Sequence, residues 1–325
     1  MNFNSTNQKT ILLVFLSLLI SSLLFIIYCS NNIQKQNYES LDKKVLLINA
    51  KKKPVNKKTK NLTIENYKPI KNTSESIIKD WNNIANIIFN NYKDQDSFVI
   101  LVEPETITYL SSALAFILEN INKPVILTTD DLNNTLKLST KIKYPEVMIN
   151  SDKKLLRGCC SVQLEKNKIS SPNYQVLTKN NCLKQPIEDF RPKYLKNDIN
   201  IIVVKFFPGI NINYILSLID NQKIDGIILE LYCEIKINIS SDILDLLKKL
   251  IQDGIIIISV SQCNYYDNID INLLSIGIIT GFDMTSSSAY TKLLFILSYV
   301  EDKTIIPQLF ERSLRGEISQ KYSMI

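Results

Sequence analysis

Residues 97–129 read SFVILVEPETITYLSSALAFILENINKPVILTT. The first six, SFVILV, are an uncharged run rich in β-branched and aromatic side chains, the composition of a strand buried on both faces. From Thr106 to Asn120 the chain stays largely apolar with neither Gly nor Pro, which is helix length rather than strand length. PVILTT, from Pro124, is a second buried strand. Two such strands joined by a helix lie parallel, because a parallel connection needs a dozen or more residues to cross over. Parallel sheets are covered by helices on both faces, so the predicted class is α/β.

The same alternation continues outward. KVLLIN, residues 44–49, is a first strand, and Ile77, Ile78, Trp81, Ile84, Ala85 and Ile88 then recur at helical spacing. A hairpin-like stretch covers residues 147–164. Polar residues with Pro186 and Pro192 read as a linker at 186–198. Beyond it come strands at NIIVVKFF (from Asn200), GIILELY (from Gly226) and IIIISVS (from Ile255), with helices at about 213–220 and 241–252. Two closing helices are expected at about 286–299 and 303–314. The expected architecture is therefore two α/β domains with parallel-sheet cores, at 43–185 and 199–325.

The N-terminus adds a different element. After a tail at 1–10, residues 11–29 read ILLVFLSLLISSLLFIIYC without a charge or a proline. About 20 apolar residues span a bilayer as a helix. The run exceeds the h-region of a cleaved signal peptide and no small-x-small site follows it, so one N-terminal transmembrane helix is expected as a single-pass anchor. Lys9 precedes it, whereas Lys35, Lys43 and Lys44 follow, which points to a cytosolic domain; sequons at Asn61, Asn72, Asn133 and Asn238 point the other way. A basic linker, 30–66, contains the first strand, 44–49. Between Asp42 and Lys60 eight lysines face one aspartate, a local +7 that exceeds the whole chain's net +6. A solvated linker is the plain reading; contact of Lys51, Lys52, Lys53, Lys57 and Lys58 with anionic lipid is the sharper one. No basic surface for nucleic acid remains elsewhere.

Composition narrows the chemistry. There are 7 glycines and no histidines, so the chain has few places to cradle a small polar substrate against its backbone and no imidazole base. The six cysteines (29, 159, 160, 182, 233, 263) form no C-x-x-C pair and read as free, mostly buried thiols. No metal and no cofactor is expected.

Seven segments occur in one order: KPVILT from Lys123, Leu155-Leu156-Arg157-Gly158, Ser171-Pro172-Asn173-Tyr174, Leu229-Glu230-Leu231-Tyr232, Ser261-Gln262-Cys263, Gly281-Phe282-Asp283-Met284-Thr285 and Leu314-Arg315-Gly316-Glu317. Together they resemble the L-asparaginase family, closest to its type I branch, from about Lys43 onward. The resemblance implies a larger N-terminal and a smaller C-terminal α/β domain. It also implies a homo-oligomer, dimer or tetramer, with active sites at subunit contacts.

Family chemistry uses a threonine nucleophile and a second threonine backed by an Asp and a Lys, and a hydroxyl attacks only when a neighbouring base takes its proton. Where the family has TGGTI this chain has Ala50-Lys51-Lys52-Lys53-Pro54, so Lys53 holds the nucleophile position. Where the family has HGTDTM it has Val102-Glu103-Pro104-Glu105-Thr106-Ile107, so Pro104 replaces the second threonine and Glu105 the Asp. The relay lysine is Gln163, which does not exchange protons near neutral pH. The substrate-holding DSSD reads Asn72-Thr73-Ser74-Glu75, and the GxGN of the neighbouring-subunit loop reads Cys233-Glu234-Ile235-Lys236. No catalytic set is intact. Thr73, Ser74, Glu75 and Thr106 are candidates for a residual ligand cleft, and Gln262 and Cys263 occupy the type I regulatory position. The expected function is a membrane-anchored pseudoenzyme used for binding or scaffolding. The alternatives are an amidohydrolase with a relocated nucleophile, such as Thr106 or Lys53, and a membrane-proximal adaptor acting through its lysines.

Overall fold

The computed structural model describes residues 41–56, 59–69, 74–165, 168–219, 223–232, 239–263 and 271–319. The expected tail (1–10), membrane span (11–29), Lys57, Lys58, Thr73 and the loop 233–236 lie outside these residues. Among the described residues no helix is long and apolar enough to cross a membrane.

The larger sheet is built from β1 (Val45–Asn49), β2 (Leu62–Asn66), β3 (Ser97–Leu101), β5 (Val125–Thr128), β6 (Val147–Ser151) and β7 (Lys154–Arg157), in the order β2-β1-β3-β5-β6-β7. All pairs are parallel except β6–β7, a hairpin. β4 (Leu118–Glu119) stands apart and pairs with β10 (Arg191–Pro192); β8 (Val162–Glu165) pairs with β9 (Lys168–Ser170). The smaller sheet is all parallel, β11 (Ile201–Lys205), β12 (Gly226–Leu231), β13 (Ile256–Ser261) and β14 (Ile279–Thr280) in sequence order.

The helices are α1 (Ser74–Asn91), α2 (Ile107–Ile117), α3 (Leu132–Lys141), α4 (Ile212–Ile219), α5 (Ser241–Gln252), α6 (Ile271–Ser275), α7 (Ser286–Tyr299) and α8 (Ile306–Glu311). α2 is apolar almost all round and nearly every residue of it is buried, which is why its sequence lacks a polar stripe. It packs on α7, with Phe116 and Phe295 rings 5.9 Å apart and the Ser112 and Thr291 hydroxyls hydrogen-bonded at 2.6 Å. One apolar core therefore runs from Leu46, Ile48 and Ile100 through α2 and α7 to Ile228 and Ile258 of the smaller sheet. A second core covers that sheet's other face, with Ile215 of α4 and Leu247 of α5 against Val204, Leu229 and Ile257.

Several expectations need correction. The linker 30–66 hides β2, a half-exposed edge strand whose sequence, LTIEN, is too polar to announce itself. Within the expected linker 186–198, Phe190 and Leu195 are buried, and Asn82 brackets Leu195 by bonds to its carbonyl (2.8 Å) and from its N–H (2.9 Å). The last helix stops at Glu311 because Arg312 is extended (ψ 136°). Cys159 and Cys160, inside the expected hairpin stretch 147–164, sit in a 3-10 turn (Gly158–Cys160) and are both buried. Cys159, Cys160 and Cys182 are free thiols, but Cys263 is disulfide-bonded, against the reading of all six as thiols.

Candidate functional site

In the larger sheet the chain leaves β1 for β2 on one side and returns after α1 to β3 on the other. At such a reversal the loops diverge and leave a crevice beyond the carboxyl ends of the strands, the usual ligand position in open α/β sheets. The two loops are residues 50–55 after β1 and 102–106 after β3. They are the segments in which the family's two hydroxyls were expected, so Lys53, Pro104, Glu105 and Thr106 are brought to one edge.

The first loop is held without glycine. Asn49 donates from Nδ2 to the Lys53 carbonyl (2.9 Å) and to Asn66 Oδ1 (2.8 Å), and its Oδ1 accepts from the Lys51 N–H (3.2 Å). Asn66 in turn accepts from the Val55 N–H (2.9 Å) and donates to the Val55 carbonyl (3.2 Å). Two asparagines at the ends of adjacent strands thus clamp the loop, while Lys52 and Lys53 are exposed. Lys51 pairs with Asp130 at 3.5 Å. The sequence reading missed both asparagines, since their pairing follows only from β2 lying beside β1.

The second loop is a 3-10 turn, Pro104–Thr106, with Pro104 buried at its first position. Proline suits that position, where its missing N–H has no helical partner to lose. Glu105 points to solvent, and the Thr106 hydroxyl donates to the Glu103 carbonyl at 3.2 Å. Neither Lys53 nor Pro104 carries a hydroxyl, and the hydroxyl of Thr106 faces a main-chain oxygen and not a base. In the first turn of α2, Tyr109 stacks edge-on against Tyr290 of α7 at 5.9 Å. Burial, and then the nearby Glu230 carboxylate, push the Tyr109 phenol up, so it stays protonated.

The remaining candidates are dispersed. Ser74 and Glu75 open α1. Gln163 lies half-buried in β8. Gln262, just past β13, donates from Nε2 to the carbonyls of Phe206 and Glu230, both at 2.7 Å, and from its N–H to Leu231 (2.8 Å). It ties three strand ends of the smaller sheet together. The thiols of Cys159 and Cys160 donate to the carbonyls of Arg315 (3.5 Å) and Gly316 (3.2 Å), and burial pushes the Cys160 thiol well up, which makes it inert.

The model of the Asparaginase N-terminal family matches residues 27–181, and that of the Glutaminase/Asparaginase C-terminal domain matches residues 200–310. The chain belongs to the L-asparaginase family. L-asparaginase 1 of Escherichia coli (strain K12) is 28% identical over 289 residues, covering 80% of this chain and 85% of that protein. An L-asparaginase of Dirofilaria immitis is 27% identical over 78% of this chain, which spans 48% of that longer relative. The crystal structure of L-asparaginase I from Vibrio cholerae superposes with a TM-score of 0.75 at 26% identity, covering 85% of this chain and 99% of that one. Within this L-asparaginase fold the scaffold segments sit where tight packing needs them. A Cβ on Gly281 would lie 2.6 Å from Val260 Cγ1 and 2.7 Å from the Ser259 carbonyl, so only glycine fits.

Proposed function

We propose that this chain is a membrane-anchored member of the L-asparaginase family without amidohydrolase activity, which works by binding or scaffolding. One observation carries the reading: the crevice at the β1/β3 reversal presents Lys53 and Pro104 at the two positions expected to hold hydroxyls, and the Thr106 hydroxyl beside them donates to a main-chain carbonyl and not to a base. The nucleophile and its proton relay act as a unit, and losing one member of such a unit typically costs orders of magnitude in rate. The proton-inert Gln163 in β8 adds to this. The test is ammonia release from asparagine and glutamine by the full chain. The expected rate is that of buffer. Ammonia release abolished by Thr106→Val or Lys53→Gln would instead establish the relocated-nucleophile reading.

Attachment through residues 11–29 is part of the proposal. The lysines that follow this run favour a cytosolic domain. The disulfide at Cys263 favours the opposite side, because disulfides persist in oxidising compartments. Protease protection of sealed vesicles separates the two: a protected domain with oxidised Cys263 is extracytosolic. An accessible domain is the one that could use its lysines on anionic lipid. Replacing the eight lysines with Gln should then abolish binding to phosphatidylserine vesicles, and unchanged binding would remove the adaptor reading.

Self-association, dimer or tetramer, completes the proposal. It is supported by Phe207, Tyr214 and Leu216, which are 40–41% exposed around α4 beside the edge strand β11.

A further inference from the structure

The opposite edge of the larger sheet, where β6 begins and β7 ends, holds a cavity of about 260 Å³. Because β1, β3, β5 and β6 are parallel, this edge is the far one from the loops 50–55 and 102–106. Leu118, Ile121, Leu183 and Leu314 give the cavity an apolar wall. Arg157, Arg315, Lys184 and a single carboxylate, Glu146, supply its charges.

Glu146 is already engaged. It is buried, accepts from Arg157 Nε at 2.7 Å and Nη2 at 3.4 Å, and accepts from the Leu183 N–H at 2.8 Å. Arg315 differs. It donates to the Ala115 carbonyl (3.0 Å), the Leu314 carbonyl (3.1 Å) and Glu119 (3.2 Å), and a guanidinium has five N–H donors. Among the described residues, two of the five have no acceptor. Glu119 is shared with Lys193 at 2.9 Å, and Asn120 at the rim donates to Glu188 at 3.3 Å. Set against Arg157, Arg315, Lys184 and Lys193, the three carboxylates leave one positive charge in excess. An apolar chamber with surplus positive charge and open guanidinium donors suits one class of molecule.

We propose that this cavity binds a small organic monocarboxylate with an apolar body, of the size of benzoate. The volume corresponds to roughly eight waters at about 30 Å³ each, below the span of drug-sized pockets. The carboxylate meets Arg315 through charge-assisted hydrogen bonds, while the ring lies on Leu118 and Ile121. Nothing in this site belongs to the asparaginase crevice, so its test is independent of ammonia release.

The test is isothermal titration calorimetry on the full chain in lipid nanodiscs with benzoate, benzamide and benzylamine. Benzoate should bind at one site at least tenfold more tightly than benzamide, and benzylamine should give no heat. Arg315→Gln should weaken benzoate at least fivefold. If that variant fails to fold, Lys184→Gln at the exposed rim should weaken it about two- to threefold, and Ala115→Leu should abolish it by filling the chamber. Equal affinity for benzoate and benzamide, absence of heat with benzoate, or full binding by a folded Ala115→Leu variant would overturn the assignment.

Discussion

Lys292 and Glu317 are both shut off from solvent and form an ion pair at 2.6 Å. Every donor of the ammonium is used, the other two going to the carbonyls of Phe310 (2.5 Å) and Arg312 (2.6 Å). Glu317 also accepts from the N–H groups of Leu314 (2.9 Å) and Arg315 (2.6 Å). Burial alone would raise this carboxyl, but Lys292 and the two N–H groups hold it below the ordinary carboxylate range. Removing one partner of a buried pair strands the other, so Lys292→Met should cost about 3–5 kcal/mol by urea denaturation, and adding Glu317→Leu should recover much of it. The sign of the pH effect follows from the depressed folded value. Glu317 stabilises fully above about pH 4.3 and loses that contribution as pH falls through its folded pKa. Denaturation between pH 3 and 7 should therefore show a shallower acid slope in Glu317→Gln than in the parent. By contrast the Asp130 side chain of the Lys51–Asp130 pair is 63% exposed, and Asp130→Asn should change stability by less than about 1 kcal/mol.

Among the elements, α4 is unusual in burying only Ile215 fully while Tyr214 and Leu216 face outward. Phe207 packs edge-on against Tyr214 at 5.7 Å, so the apolar surface is continuous. If copies of the chain meet there, Phe207→Asp with Leu216→Asp should turn the oligomer into a monomer in sedimentation velocity without lowering its melting temperature; an unchanged oligomer would place the contact elsewhere. The strands at 97–102 and 124–129 were legible in sequence because fully buried strands are continuous apolar runs. β2 was not, because LTIEN sits at a half-exposed edge where polar residues cost nothing. Its absence from the sequence reading also concealed the Asn49–Asn66 clamp. The expected losses at Lys53, Pro104 and Gln163 rest on motif resemblance, because each is a change of side-chain chemistry and not of backbone geometry. The cavity under α2 was not legible, since five separated segments line it.

At the scale of the whole molecule, residues 41–325 form one compact unit even though they contain two large sheets. The shared core through α2 and α7 is the physical reason, and calorimetry should show a single cooperative transition for this unit. Residues 313–319 bind it together. Arg315 caps the end of α2 at the Ala115 carbonyl, Gly316 receives Cys160 and Arg157, and Glu317 receives Lys292 and the Tyr174 hydroxyl. Ser319 donates to Asp283 at 3.1 Å. Ending the chain at residue 312 should therefore destabilise both sheets together, seen as loss of the whole transition. The same segment sets a condition on biosynthesis. α2 is made early, yet α7 and residues 313–319, which pack on it and cap its end, are made last. Through most of translation the nascent chain must carry an open, apolar α2, so its demand on chaperones is longest just where its threading is complete but its last tie is missing.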